Sequence, residues 1–283
     1  KLVGAREFTP EELQTWEQEL YECTACRRCA QFCPYGIDNS VILRTGRIIL
    51  NELKMTPKEL IRTMEASEKS GNNDGAGPEA FVASIRFMEE ELKDETGIDI
   101  KIPVDKQGAH LLLVPPSADC LSLPEATMGC AKVFHEVGTD WTMSSVSFDC
   151  ANFGLFTGDD AAMKAKNKRM VDEAKKLGVK KLVIGECGHA YRVMKRMAGG
   201  WYSDGLPFEI TSILEETARY IREGKLKLDP SKNLDPVTYH DPCNCRRSTG
   251  VAEEPRAILK AVCQDFREMI PNRSDNWCCG GGG

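Results

Sequence analysis

The chain has 283 residues, of which 41% are hydrophobic and 28% charged, a composition typical of folded globular proteins. Its formal net charge of −6 argues against a nucleic-acid-binding protein, and no apolar run approaches the roughly 20 residues of a membrane-spanning helix. The 13 cysteines are an odd number in a long chain, which excludes a complete disulfide framework and indicates metal or redox chemistry in a reducing compartment.

The N-terminal region is predicted to be helical. Thr9 and Glu12 predict a capping box, with Pro10 at the first helical position. Leu13 and Leu20 then lie on one apolar helix face. A cysteine motif follows this helix, and further amphipathic helices are predicted at 41–53, 57–69 and 78–95.

From about residue 109 onwards, predicted strands alternate with predicted helices. The strands are expected at 111–115, 179–184, 208–211 and 237–240. The helices are expected at 124–137, 159–177, 190–197, 213–222 and 255–262. This alternation predicts an α/β fold with a parallel sheet that is covered on both faces.

A unit of strand, loop, helix, strand and cysteine occurs twice in this region. One copy runs from Leu111 to Cys150, and the other from Val237 to Cys279. The matching cysteine positions favour an internal repeat, and hence a pseudo-twofold domain built from two Rossmann-like α/β halves. The alternative is that two unrelated α/β units look alike at this level of detail.

Four cysteines follow the first helix at the spacing Cys-x2-Cys-x2-Cys-x3-Cys-Pro, namely Cys23, Cys26, Cys29 and Cys33. This spacing is typical of bacterial ferredoxins and predicts a [4Fe–4S] cubane cluster. Zinc is the less favoured alternative, because zinc sites normally use two separated Cys-x2-Cys pairs. Cys33 would normally serve a second cluster, so we expect either a matching cysteine run upstream of this sequence or a single-cluster variant.

A second cysteine group lies near the end of the sequence. Cys243 precedes the adjacent pair Cys278 and Cys279 by 35 residues, and glycines follow the pair. Adjacent cysteines bind one iron of a cubane poorly, but they are able to bridge different irons of an opened cluster. Glycines after the pair permit positive φ angles and allow backbone N–H groups to approach sulfur.

This second group resembles the CCG-domain signature of heterodisulfide reductase catalytic subunits. Because a ferredoxin-type run stands on the same chain, the sequence is similar to the fused, HdrD-type form of those subunits. The segments 22–29, 185–189, 240–243 and 278–283 resemble most closely the DsrK-type iron–sulfur subunits of DsrMKJOP membrane complexes. TmcB- and HmeD-type subunits are near relatives of that family.

The resemblance implies that Cys243, Cys278 and Cys279 ligate a noncubane [4Fe–4S] cluster. The closing Cys-x-x-Cys of the family signature is not found before Gly283, so we expect the sequence to be truncated at both ends. In the first repeat, Asp149 and Cys150 take the positions of the cysteine pair.

Several residues keep two interpretations each. Cys187 stands where the closing motif would begin, and it and Cys150 are interpreted either as auxiliary ligands or as remnants. His240 and His189 flank cysteines and are candidates either for a proton donor to a leaving thiolate or for a structural role. The remaining cysteines are interpreted as core residues (Cys130, Cys263), as intermediate (Cys120), or as near the second group (Cys245).

The resemblance also implies a domain organisation. It comprises a helical ferredoxin-type domain at 1–105, a first CCG-like half with a degenerate motif at 106–228, and a second CCG half at 229–283.

The function implied is that of a catalytic iron–sulfur subunit in dissimilatory sulfur metabolism. Such a subunit passes electrons from a quinol-linked cytochrome b partner, DsrM-like, to the disulfide or trisulfide of a DsrC-type sulfur carrier. It would work with the other subunits of the complex on the cytoplasmic face of the membrane. The first alternative is an electron-transfer subunit of a glycolate- or lactate-oxidase-type flavoenzyme. The second is a pure electron-transfer module or a zinc-stabilised scaffold.

Overall fold

The structure, a computed structural model, describes residues 7–202 and 205–281. Its N-terminal region is helical, as predicted, and the capping box of Thr9 and Glu12 is present at the start of the first helix. The helices are α1 Pro10–Tyr21, α2 Arg28–Phe32, α3 Asn39–Glu52, α4 Lys58–Ser70 and α5 Pro78–Thr96. In the described ranges, no helix has both the length and the apolar character required to cross a bilayer.

A four-stranded parallel sheet follows, in the order β2-β1-β3-β4. Its strands are β1 Leu111–Val114, β2 Trp141–Thr142, β3 Lys181–Ile184 and β4 Glu209–Ser212. The helices that connect and cover them are α6 Ala118–Leu121, α7 Glu125–Val137, α8 Gly154–Thr157, α9 Asp160–Leu177, α10 Gly188–Arg192 and α11 Ile213–Arg222. A π-helical turn at Val193–Met197 extends α10.

The sheet separates two hydrophobic cores. Leu111 and Leu113 of β1 point into the core that contains Phe81 of α5 and Phe134 of α7, whereas the alternate residues of β1 point into the core that contains α9. Because strand side chains alternate between faces and both faces are covered, all four residues of β1 are buried. This explains why β1 is a continuous apolar run.

A second, two-stranded parallel sheet is formed by β5 Val237–Tyr239 and β6 Phe266–Glu268. The helices α12 Cys243–Thr249 and α13 Glu253–Val262 connect its strands. The order β5-α12-α13-β6 repeats the order β1-α6-α7-β2, and both strand pairs are parallel. The structure therefore confirms the predicted α/β class and supports the internal repeat.

Several short elements differ from the sequence-based expectation. The second strand of each repeat lies before the cysteines rather than on them, at 141–142 and 266–268 instead of 147–150 and 276–279. β6 is partly exposed and contains Arg267 and Glu268, so it has no apolar pattern. The short helices α2, α6, α8 and α12 were also not anticipated, because helices of four to seven residues have too little periodicity to recognise.

The second sheet is held by an ion pair between Arg256 of α13 and Asp241, which follows β5. Both side chains are 1% exposed, and the guanidinium binds both carboxylate oxygens at 2.8 and 2.7 Å. Arg256 also donates to Glu268 of β6 at 2.7 Å. Burial favours a raised pKa for Asp241, but hydrogen bonds from Arg256 and from the Arg273 N–H lower it below its ordinary value.

We expect Asp241→Asn to lower the free energy of unfolding by about 3–5 kcal/mol, because it leaves a buried guanidinium without its anion. The control is Asp265→Asn, which removes the exposed pair with Arg267 and should cost less than about 1 kcal/mol. Urea unfolding of the two variants measures the difference. Equal losses would show that the buried pair does not stabilise this sheet.

Candidate functional site

The first cysteine group surrounds a tightly curled loop between α1 and α3. Ala25 and Arg27 have positive φ angles of 52° and 63°, which turn the backbone sharply between the cysteines. Cys29 is exposed, and the other three cysteines of the run are partly buried. The N–H of Ala25 lies 3.4 Å from the Cys23 sulfur and donates to it. The loop thus presents four thiols around one bend, as the ferredoxin spacing predicts.

Three arginines from different helices hold this loop. Arg47 of α3 is 2% exposed and donates to the carbonyls of Leu20, Phe156 and Cys23. Arg192 of α10 donates to the Ala25 carbonyl at 2.8 Å, and Arg247 of α12 donates to the Cys26 carbonyl at 2.7 Å. These acceptors are neutral, so positive charge accumulates beside the thiols. Burial, together with the charge of Arg27, lowers the pKa of Arg192 to about 10.

The second cysteine group joins α12 to the C-terminal segment. Cys243 is buried at the start of α12, Cys278 is partly buried and Cys279 is exposed. Burial and the neighbouring Cys278 and Cys26 raise the pKa of the Cys243 thiol to about 12. Gly280 has a φ of 80°, and its N–H donates to the Cys278 sulfur at 3.4 Å. The glycine after the pair therefore has the conformation and the sulfur contact that the sequence predicts.

His240 lies next to this group but does not contact its sulfurs directly. Its Nε2 donates to the Trp277 carbonyl at 2.8 Å, one residue before the cysteine pair. This contact links the end of β5 to the segment that carries Cys278. The predicted role of His240 as a proton donor therefore stays a prediction.

The two cysteine groups contact each other. The Thr24 hydroxyl lies 3.1 Å from the Cys278 sulfur, and Cys26 is near enough to Cys243 to raise its pKa. Arg247 donates to the Cys26 carbonyl and to the Asn276 carbonyl, the latter at 3.1 Å. Two thiol-rich groups that are far apart in the sequence thus form one continuous site.

A third group of thiols is buried in the first repeat. Cys150 is 0% exposed and shares a hydrogen bond with Cys187, which lowers the pKa of Cys187, while burial raises that of Cys150. The Nδ1 of His189 lies 3.3 Å from the Cys187 sulfur, and its Nε2 accepts the Asn152 N–H at 3.1 Å. The structure therefore brings the predicted pair together, with His189 beside it.

Cys245 joins this third group, a placement that the sequence did not reveal. Its sulfur lies against Gly188, where an added Cβ would be only 2.9 Å away. The neighbouring Cys187 contributes to raising the pKa of Cys245 to about 12, although burial is the larger cause. α12 thus presents Cys243 to the second group and Cys245 to the third.

Asp149 replaces the first cysteine of the pair in the first repeat and has become a structural residue. It is 0% exposed, and its carboxylate binds Lys166 of α9 at 2.9 Å. Backbone N–H groups of Ser117, Ala151 and Asn73 also donate to it, at 3.2, 2.9 and 2.9 Å. Where the second repeat has a free thiol, the first therefore has a carboxylate with its hydrogen bonds satisfied.

The donor chemistry of the first two groups fits iron–sulfur clusters. Their candidate ligands are all thiols, which are soft ligands that iron–sulfur clusters use. Backbone N–H groups donate to Cys23 and Cys278, and in the described ranges the buried atoms Nη2 of Arg247 and Nε of Arg246 have no hydrogen-bond partner. An anionic group at the thiols would balance this charge. Within the described part of the chain, no three His, Cys, Asp or Glu side chains converge on a single metal ion.

The cysteine-rich domain family CCG matches residues 237–283, which confirms the CCG resemblance of the second group. Over all of its length, the chain is 33% identical to the Hdr-like menaquinol oxidoreductase iron–sulfur subunit of Archaeoglobus profundus, across 324 aligned residues and 58% of that protein. The chain therefore spans little more than half the length of this relative.

Two further relatives also match the whole chain. One is an HdrD-type polypeptide, a component of the dihydromethanophenazine:CoB–CoM heterodisulfide reductase of Methanosarcina mazei, which is 27% identical with 67% of its length covered. The other, the EtfAB:quinone oxidoreductase of Syntrophomonas wolfei, is 25% identical with 40% covered. Similarity to Hdr-like iron–sulfur subunits, predicted from the cysteine motifs, is thereby confirmed. No solved structure matches the chain.

The role of Arg47 in holding the first cysteine loop is testable. We expect Arg47→Met to lower the free energy of unfolding by about 2–3 kcal/mol, because buried carbonyls of α1, α8 and the loop lose their donor. It should also reduce the iron bound per chain. Arg62→Met, on the exposed side of α4, is the control and should change neither. Unaltered stability and iron content in Arg47→Met would contradict the role.

Proposed function

We propose that this chain is a redox subunit in which two adjacent iron–sulfur clusters pass electrons to a sulfur substrate. Cys23, Cys26, Cys29 and Cys33 would hold a [4Fe–4S] cubane. Cys243, Cys278 and Cys279 would ligate a second, noncubane [4Fe–4S] cluster. The carrying observation is the contact between the two groups, in which the Thr24 hydroxyl meets the Cys278 sulfur at 3.1 Å.

The chain's own residues have distinct roles in this proposal. The curled loop and its arginines hold the first four thiolates, and their positive charge favours uptake of electrons. Cys243 is buried while Cys279 is exposed, so a substrate would approach the second group from the side of Cys279. When bound there, an opened cluster supplies one-electron transfers and iron sites for sulfur. His240, held by the Trp277 carbonyl, would provide a proton near a leaving thiolate.

The substrate class follows from the need for two electrons and two protons to convert a disulfide into two thiols. We propose a protein disulfide or trisulfide, as on a DsrC-type sulfur carrier, which would make this chain a DsrK-type subunit. The electron donor would be a DsrM-like cytochrome b in the membrane, with the chain peripheral on its cytoplasmic face. The similarity to an Hdr-like menaquinol oxidoreductase subunit and to a heterodisulfide reductase component supports this proposal.

The proposed domain division follows the two cysteine groups. The ferredoxin-type domain would comprise 1–105, and the CCG halves 106–228 and 229–283. Of the two interpretations of Cys150 and Cys187, we favour remnants, because Asp149 beside them is fully engaged by Lys166 and backbone N–H groups. Catalysis would then belong to the second half.

A second candidate is electron transfer without sulfur chemistry, in the service of a flavoprotein. The similarity to an EtfAB:quinone oxidoreductase supports it. Both candidates need the first cluster, but only disulfide reduction needs substrate access at Cys279. The two are separated by assaying disulfide reduction with the purified complex.

The second cysteine group is tested by Cys278→Ser and Cys279→Ser. Because serine is a harder and poorer ligand for iron than thiolate, both should abolish disulfide or trisulfide reduction while dithionite still reduces the first cluster. Cys263→Ser is the matched control in the same half, since Cys263 is buried at the end of α13. Full turnover in Cys279→Ser would remove this group from the mechanism and favour Cys150 and Cys187.

The relay role of the first group is tested by Cys26→Ser. The variant should slow reduction of the second cluster by the quinol-linked donor, since electrons would lose their entry point. The paramagnetic signal of the second cluster should remain after chemical reduction. Cys130→Ser, in α7, is the control. Loss of the second cluster's signal in a folded Cys26→Ser protein would contradict the assignment of Cys26 to the first cluster alone.

A further inference from the structure

We propose that Thr24 tunes the reduction potential of the second cluster, although it belongs to the loop of the first. This inference rests on the proposed function, because it requires a cluster at Cys278. Thr24 lies between Cys23 and Cys26, and its hydroxyl is 3.1 Å from the Cys278 sulfur. It is thus a positioning residue that acts on a ligand of the neighbouring centre.

The direction of the hydrogen bond follows from the chemistry of the ligand. A thiolate bound to iron carries no proton, so the Thr24 hydroxyl must donate and Cys278 must accept. Gly280 provides a second, weaker contact to the same sulfur through its N–H at 3.4 Å. Donors to a ligating sulfur stabilise the more negative, reduced state, and thereby raise the reduction potential of the cluster.

The contact is fixed from both sides by arginines. Arg247 joins the Cys26 carbonyl to the carbonyls of Ser274 and Asn276, at 2.7, 3.0 and 3.1 Å. Arg28 donates to the same Asn276 carbonyl at 3.3 Å and stacks on Trp277 at 3.8 Å. The residues before Cys278 are therefore tied to the residues after Thr24, which leaves the hydroxyl and the sulfur little freedom to separate.

The arrangement couples the two centres through one short segment. The first loop carries the ligand Cys26, the donor Thr24 and the Arg247 acceptor site within four residues of one another. A movement of this loop would change both the environment of the first cluster and the hydrogen bond to the second. Thr24 is accordingly the residue through which the fold of one centre sets the potential of the other.

The experiment is a redox titration of the complex, followed by electron paramagnetic resonance, with Thr24→Val and Thr24→Ser. Valine keeps the shape of threonine but has no hydroxyl. At a fixed ambient potential, the ratio of reduced to oxidised second cluster should fall about two- to tenfold in Thr24→Val, which corresponds to the loss of one hydrogen bond. Thr24→Ser should retain the wild-type ratio. Thr63→Val, on α4, is the matched control and should change nothing.

Each outcome decides the proposal. An unchanged potential in a Thr24→Val protein that holds both clusters would overturn it. If Thr24→Val fails to assemble the second cluster, Thr24→Ser decides: assembly at the wild-type potential supports the hydroxyl, and failure of serine as well would assign the position to packing. Absence of the second cluster from the wild-type protein would instead refute the proposed function, which keeps the two failures distinguishable.

Discussion

Arg247 is the residue on which the geometry of the site most depends. Its guanidinium spans the gap between the Cys26 carbonyl and the carbonyls of Ser274 and Asn276. Arginine suits this task because its planar group presents several donors in fixed directions. Lysine could not make the same set of contacts from one rigid group. Through Arg247, the N-terminal cysteine loop and the C-terminal cysteine pair become parts of one structure.

The arginines around the cysteines also set the electrostatics of the site. Arg47 and Arg192 donate to carbonyl oxygens of the same loop. A buried cation is costly unless an anion is near. In the absence of that anion, burial lowers the pKa of both arginines. A thiolate-ligated cluster carries negative charge, so the site is better satisfied with its proposed cofactors bound.

The two repeats use one supersecondary unit for different purposes. In the second repeat, the position after β6 leads to Cys278 and Cys279, which face the first cysteine group. In the first repeat, the corresponding position has Asp149, which Lys166 neutralises at 2.9 Å in the core. An ion pair at this depth stabilises the fold only because backbone N–H groups satisfy the remaining carboxylate lone pairs. The first copy thus supports the framework, and the second carries the proposed chemistry.

Local patterns in the sequence were sufficient to predict the α/β class, the main helices and the two cysteine groups. Capping residues, helical periodicity and cysteine spacing all act over a few residues, so they can be recognised in a linear chain. β6 escaped recognition because its partly exposed residues follow no apolar pattern. The partners of Thr24 and Arg247 could not be predicted either. Thr24 and Cys278 are 254 residues apart, and only the packing of α2, α12 and the C-terminal segment brings them together. The sequence by itself therefore determined which residues are able to hold clusters, whereas the tertiary structure decided that the two groups touch, because that contact depends on long-range packing.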